Sequence, residues 1–190
     1  MIAELSNRIV DRLVTRGNIS CEEKEIYQYG AELLLSDLVN FSLIGLLGAA
    51  FGRIGTSILF LISFVPIRRF TGGYHASSHL RCRTAMIATF LLLLLTSYLF
   101  PVDKPIQVFL INAASVMVIA RFAPIENPNK PLSDESIRIN RQRAIQSSLL
   151  VGIVSLTMYA LHYAAGIVLS LTLSIIALLM IIEVQKRERR

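Results

Sequence analysis

The feature that most limits what this chain can become is a succession of apolar runs. They lie at about 33–51, 55–67, 84–100, 106–123, 147–162 and 166–183. Hydrocarbon offers no partner to a backbone N–H or C=O, so runs of this kind cross a bilayer as helices that satisfy their own polar groups. With 54% hydrophobic residues, 17% charged residues and a mean hydropathy of +0.59, the chain lacks the polar surface a soluble globule of its size needs. The expectation is an all-α integral membrane protein, a single domain over 1–190 with about six transmembrane helices. A span needs roughly 20 apolar residues, fewer when flanking side chains snorkel. The run 55–67 has only 13 residues, so it is expected to thin the bilayer or to end at a cavity.

Ahead of these runs, Ile2, Leu5, Ile9 and Leu13 recur at helical spacing, with Glu4, Arg8, Asp11 and Arg12 around the rest of the cylinder. This predicts an amphipathic interfacial helix within an N-terminal region 1–31. Gly17-Asn18 ends it, Ser20 is an N-cap, and Glu22, Glu23 and Glu25 suit the first turn of a second helix. The segment lacks the features of a removable signal peptide. Basic residues concentrate on the cytoplasmic side of membrane proteins. With an even number of spans and both termini cytoplasmic, 17 of the 19 Lys and Arg fall inside, leaving Arg53 and Lys104 outside. That topology accounts for the net charge of +6 better than a nucleic-acid partner does, because no folded basic domain presents those charges.

Between the second and third runs lies a polar, glycine-containing insert, residues 68–83, holding two of the three histidines and one of the two cysteines. Irregular backbone is excluded from lipid, so the insert sits at the membrane surface or lines a protein-walled cavity. Arg68 and Arg69 close the second span and Gly72-Gly73 breaks it. Ser78 is the natural N-cap of the third, with Cys82 in its first turn. A thiol there feels the positive end of a helix and the guanidinium groups of Arg81 and Arg83, which favour the thiolate. A histidine to take its proton is available twice. His75 is seven residues from Cys82, about 10.5 Å along a straight helix, and reaches it only if the glycines let the chain fold back. His79 is nearer on helical geometry. Spacing does not choose between them, and His75, His79 and Cys82 also have metal-ligand spacing, with Glu126 or Asp134 as a further donor. Cys21, by contrast, reads as a small apolar filler. At the cytoplasmic face both thiols stay reduced.

The loop 124–146 is the second long polar segment. Pro124, Pro128 and Pro131 keep its first half from being helical, and from Ser133 it reads as a short polar helix carrying Asp134, Glu135, Arg138, Arg141 and Arg143 into the fifth span. Asp37 and Asn40 stand within the first run, where an acid is costly and is either functional or held in an interhelical hydrogen bond.

The pattern Arg69-x2-Gly72-Gly73-x-His75-Ala76 followed by Cys82, together with Ala123-Pro124-Ile125-Glu126-Asn127-Pro128-Asn129-Lys130-Pro131, resembles the accessory gene regulator B family over nearly the whole chain. The resemblance implies an integral-membrane cysteine endopeptidase of a Gram-positive cell membrane. Such an enzyme processes the precursor of a cyclic autoinducing peptide for quorum sensing. It carries the catalytic roles onto His75 and Cys82, with no cofactor and no metal. Its implied partners are a precursor with an amphipathic leader and an acidic tail, the bilayer, and a second copy of the chain in a homodimer. Supporting or substrate-binding roles fall to Arg69, Gly72, Gly73, Ser78, Glu126, Asn129, Lys130, Arg138, Arg141 and Arg143. Glu126, Asn129 and Ser78 are the candidates for a third group that orients His75. The competing readings are a metal-dependent membrane hydrolase built on His75, His79 and Cys82, and a transporter without catalysis.

Overall fold

The computed structural model describes residues 2–72, 79–99, 104–126, 132–162 and 164–189, with the side chains of 79–82 excepted. Among them are seven helices: α1 (Ile2–Thr15), α2 (Lys24–Ala50), α3 (Ile54–Thr71), α4 (His79–Leu99), α5 (Pro105–Phe122), α6 (Asp134–Ala160) and α7 (Ala165–Glu188). Four of these, α2, α3, α5 and α7, are long and apolar enough to cross a membrane, so the chain is an all-helical, multi-pass membrane protein. The remaining two apolar runs are also helical. In α4 the apolar stretch is the shorter Arg83–Leu99, and α6 begins with its charged turns and continues unbroken through the apolar half. The polar helix expected after Ser133 is thus the first part of one 27-residue helix. Ser133 caps it, its hydroxyl accepting from the Ser136 N–H.

The chain forms two compact units, Met1–Leu46 and Leu47–Arg190. In the first, α1 turns at Gly17, whose φ is +70°, and the Ser6 hydroxyl donates to the Gln28 carbonyl at 2.9 Å. Lys24 pairs with Asp11 at 2.7 Å. Ser20 donates through both its N–H and its hydroxyl to Glu23, an arrangement that holds the Glu23 carboxyl below its ordinary range. The buried residues of α1 are Ser6 and Val10, while Leu5 and Ile9 are exposed.

In the second unit α7 is the central helix, packed on α3, α4, α5 and α6. Of its apolar stretch 61% is buried, against 22–33% in α2, α3 and α5, whose outer faces are left for lipid. Apolar burial is supplied by Phe60, Phe64 and Phe90, with ring centroids 4.8 and 5.4 Å apart, and by Leu173, Ile176 and Met180. A buried polar knot joins three helices. Asn112 of α5 donates to the Gly152 carbonyl and the Ser155 hydroxyl of α6, and accepts from Ser170 of α7 at 2.8 Å. Ser155 donates to the Gly166 carbonyl at 2.7 Å. A Cβ at Gly166 would meet the Ser155 carbonyl oxygen at 2.6 Å, so α6 and α7 approach this closely only because that residue is glycine.

Helix α3 corrects the expectation of a short span. It is 18 residues long, passing through Pro66 and both arginines to Thr71. The reason is that Arg68 and Arg69 suit the negative end of a helix and extend it beyond the apolar run.

Candidate active site

The end of α3 is set by Gly72, which has φ +66° and ψ −152° and donates its N–H to the Arg68 carbonyl. This is backbone space that side-chain-bearing residues scarcely enter. Gly72 then pairs in parallel with Ile125, whose N–H donates to the Thr71 carbonyl at 2.8 Å. A Cβ on Gly72 would lie 2.3 Å from the Ile125 carbonyl oxygen, so the conformation and the close approach each require glycine. Thr71, Ala123 and Ile125 are all buried, which makes the join dry. The start of the insert and the loop after α5 are therefore one structure.

Segment 123–126 is held from a second side. Arg187, near the C-terminal end of α7, donates from Nη2 to the Glu126 carbonyl, and its Nε lies 3.7 Å from Glu183. Phe122, Pro124, Ile125 and Glu126 face Val184, Arg187 and Glu188 across a cleft of about 280 Å³. The first turns of α6 meet the same end of the unit. Arg141 donates to the Ala120 carbonyl at 3.2 Å, and the Arg143 guanidinium lies 5.6 Å from the centre of the Phe70 ring. Each places a cation beside the C-terminal turn of a helix, where the dipole favours it.

These contacts sort the residues expected from sequence. Gly72 and Glu126 are brought to one place, Glu126 through its main chain. Arg69 is exposed on the last turn of α3, and Arg138 is exposed on α6. Arg141 and Arg143, expected to face a substrate, have contacts within the chain. Gly73, His75, Ser78, Asn129 and Lys130 lie outside the described residues, as do the side chains of His79, Arg81 and Cys82. The backbone of α4 begins at His79, so Cys82 stands in its first turn. Arg83 follows, half-buried, with its Nε buried and without a hydrogen-bond partner among the described residues. Asp134 is exposed in the first turn of α6. Asp37 is exposed, whereas Asn40 is buried and its Oδ1 has no hydrogen-bond partner among the described residues. Among the described residues no group of three His, Cys, Asp or Glu is placed to hold a metal ion. Phe70, Ile125 and Arg187 were not singled out by sequence. Arg187 reads there as one more topological charge, and the pairing of Ile125 runs through its main chain, which leaves no side-chain signal.

Comparison with known proteins agrees with this layout. The model of the family described as accessory gene regulator B, AgrB, matches residues 6–181. An AgrB-like protein of Clostridium perfringens strain SM101 is 26% identical over 185 residues, covering 93% of this chain and 86% of its own. An AgrB-like protein of Clostridium beijerinckii is 33% identical over 145 residues, 72% of this chain and 69% of that one. One from Listeria welshimeri is 26% identical over 163 residues, 82% and 78% of the two chains. No solved structure matches. A family match running from α1 to the last turns of α7, over helices whose polar ends meet at Gly72 and Ile125, shows that this chain belongs to the accessory gene regulator B family.

Proposed function

We propose that this chain is a membrane-embedded cysteine endopeptidase that cleaves an autoinducer precursor and closes the product into a ring. The observation that carries the reading is the pairing of Gly72 with Ile125, which draws together the two polar segments bearing the family's motifs. Family membership supplies the chemistry. His75 takes the Cys82 proton, and the thiolate attacks one peptide carbonyl of the precursor. The C–N bond breaks, the C-terminal fragment leaves as an amine carrying that proton, and a thioester remains on Cys82. A nucleophile within the bound precursor, usually its own cysteine, then attacks the thioester carbonyl. The bond to Cys82 breaks, the thiolate is released, and the product leaves as a thiolactone; a hydroxyl nucleophile gives a lactone instead. Thioester exchange is close to isoenergetic, so water must be kept away or hydrolysis wins. Placement of the nucleophile at a helix start beside Arg83 favours the anion.

In this reading α4 and α6 complete six spans and both termini are cytoplasmic. The ends of α3, α5 and α7 and the start of α6, joined by the contacts above, form the cytoplasmic rim. Exposed Leu5 and Ile9 rest α1 in the interface. The protein acts as a homodimer in the cell membrane, as its family resemblance implies. The test uses the purified protein in lipid nanodiscs with the peptide encoded by a neighbouring short reading frame. Mass spectrometry is expected to find an acyl adduct on Cys82. Cys82→Ala and His75→Ala abolish cleavage, and chelators leave it unchanged. Cleavage that survives Cys82→Ala, or that stops with EDTA, overturns the reading in favour of another nucleophile or a metal.

A further inference from the structure

We infer that Arg187 is a positioning residue for the insert, acting through the main chain of segment 123–126. The inference rests on the peptidase reading and adds to it a residue far from the motifs. Three contacts form a continuous path. The guanidinium holds the Glu126 carbonyl. The neighbouring Ile125 N–H holds the Thr71 carbonyl at 2.8 Å. Gly72, paired with Ile125, is the residue from which the insert departs.

The path has little slack. Ile125 and Ala123 are each 6% exposed and Thr71 is fully buried, so a shift of segment 123–126 is transmitted to Gly72 rather than absorbed by solvent. Gly72 itself has no room to accommodate it, with Ile125 backbone atoms filling the space where a Cβ would stand. On the other side Arg187 is braced by Glu183, one turn back on α7. Helix α7 is the most buried of the candidate spans, and its last buried residue, Met180, anchors it seven residues before Arg187. A guanidinium suits this task because its charge strengthens the bond to a carbonyl, and the Glu183 carboxylate 3.7 Å from its Nε offsets that charge without a hydrogen bond. The cleft beside the contact leaves segment 123–126 free to move once the donor is lost.

The test reads the pairing of His75 with Cys82 without needing the precursor. In a Cys21→Ser background, which removes the exposed thiol, alkylation of Cys82 by iodoacetamide is timed at neutral pH in nanodiscs. His75→Ala is expected to slow it about tenfold, because an unassisted thiol is mostly protonated at pH 7. In an Arg187→Met background the same His75→Ala change has an effect of less than about twofold, since the two side chains no longer meet. Arg187→Lys, which keeps a charged donor, restores most of the dependence. Arg187→Gln, a donor on a shorter stem, falls between and serves where the methionine variant does not fold. Arg189→Met, which removes an exposed charge two residues on, leaves the dependence intact. If His75→Ala slows alkylation equally with and without Arg187, the inference is wrong while the peptidase reading stands. If His75→Ala has no effect in the parent, the peptidase reading itself falls.

Discussion

Replacing Gly72 with alanine places a methyl group where the backbone of Ile125 already is. Two costs add. A side-chain-bearing residue at φ +66° and ψ −152° costs about 1–3 kcal/mol. The Cβ, 2.3 Å from the Ile125 carbonyl oxygen, forces segment 123–126 outward and separates the Ile125 N–H from Thr71. An orphaned buried amide costs about 1–3 kcal/mol. The expected loss is about 2–6 kcal/mol, a fall in melting temperature on the order of 5–20 °C for a chain of this size. Gly52→Ala is the internal comparison. Its φ is +65°, but nothing lies within 4 Å of the added carbon, so only the conformational cost of about 1–2 kcal/mol applies. Thermal unfolding in a single detergent measures both variants, and hydrogen exchange at the Ile125 amide reports the join directly. Precursor cleavage is expected to fall in Gly72→Ala well beyond the effect of Gly52→Ala. Should Gly72→Ala melt with the parent and keep the Ile125 amide protected, the join is not what fixes the end of α3, and the reasoning from it to the insert fails.

Three other outcomes are expected. Asn112→Leu strands the Ser170 hydroxyl and costs about 1–3 kcal/mol in detergent unfolding, part of which is recovered by adding Ser170→Ala. Arg138→Gln weakens precursor binding and flattens its salt dependence without changing the melting temperature. Arg141→Gln and Arg143→Gln also lower that temperature, because they release Ala120 and Phe70; binding at two ionic strengths with parallel melts checks all three. Glu23 is held below its ordinary 4.5 by its bonds from Ser20, so its ionised form stabilises the turn before α2. That contribution is full above 4.5 and is lost as pH falls through the lowered value. The protection of the Ser20 amide, its exchange rate relative to that of an unstructured peptide at the same pH, should therefore fall on acidification in the parent and stay constant in Glu23→Gln.

Much of the local architecture was legible because its causes are local. Gly17 and Gly72 end helices by their own backbone freedom, and Ser133 caps α6 with a hydroxyl three residues from its partner. The register of six apolar runs is likewise written in single side chains. Lengths were less legible, since apolar counting stops at Arg68 while the helix continues to Thr71. Burial was the least legible. In lipid an apolar residue gains little by turning inward, so hydrophobicity does not say that α7 is central; its buried Ser170, Thr172 and Gly166 do. In α1 Leu5 and Ile9 are exposed, as an interfacial helix requires, while the buried residues, Ser6 and Val10, were not marked out by the stripe. At the candidate site, Gly72 was visible as a breaker but not as half of a pair. The partner is an isoleucine main chain 53 positions later, which no spacing rule reaches.

The hydrogen bonds among Asn112, Ser155 and Ser170 have a mechanical consequence. Helices greased only by aliphatic side chains can slide or twist past one another by small steps at little cost. Here each step would pull polar atoms off their mates inside a medium that offers no replacement. Helices α5, α6 and α7 are thus locked in phase, and whatever motion the proposed cleavage and ring closure require must be carried by the elements outside that lock.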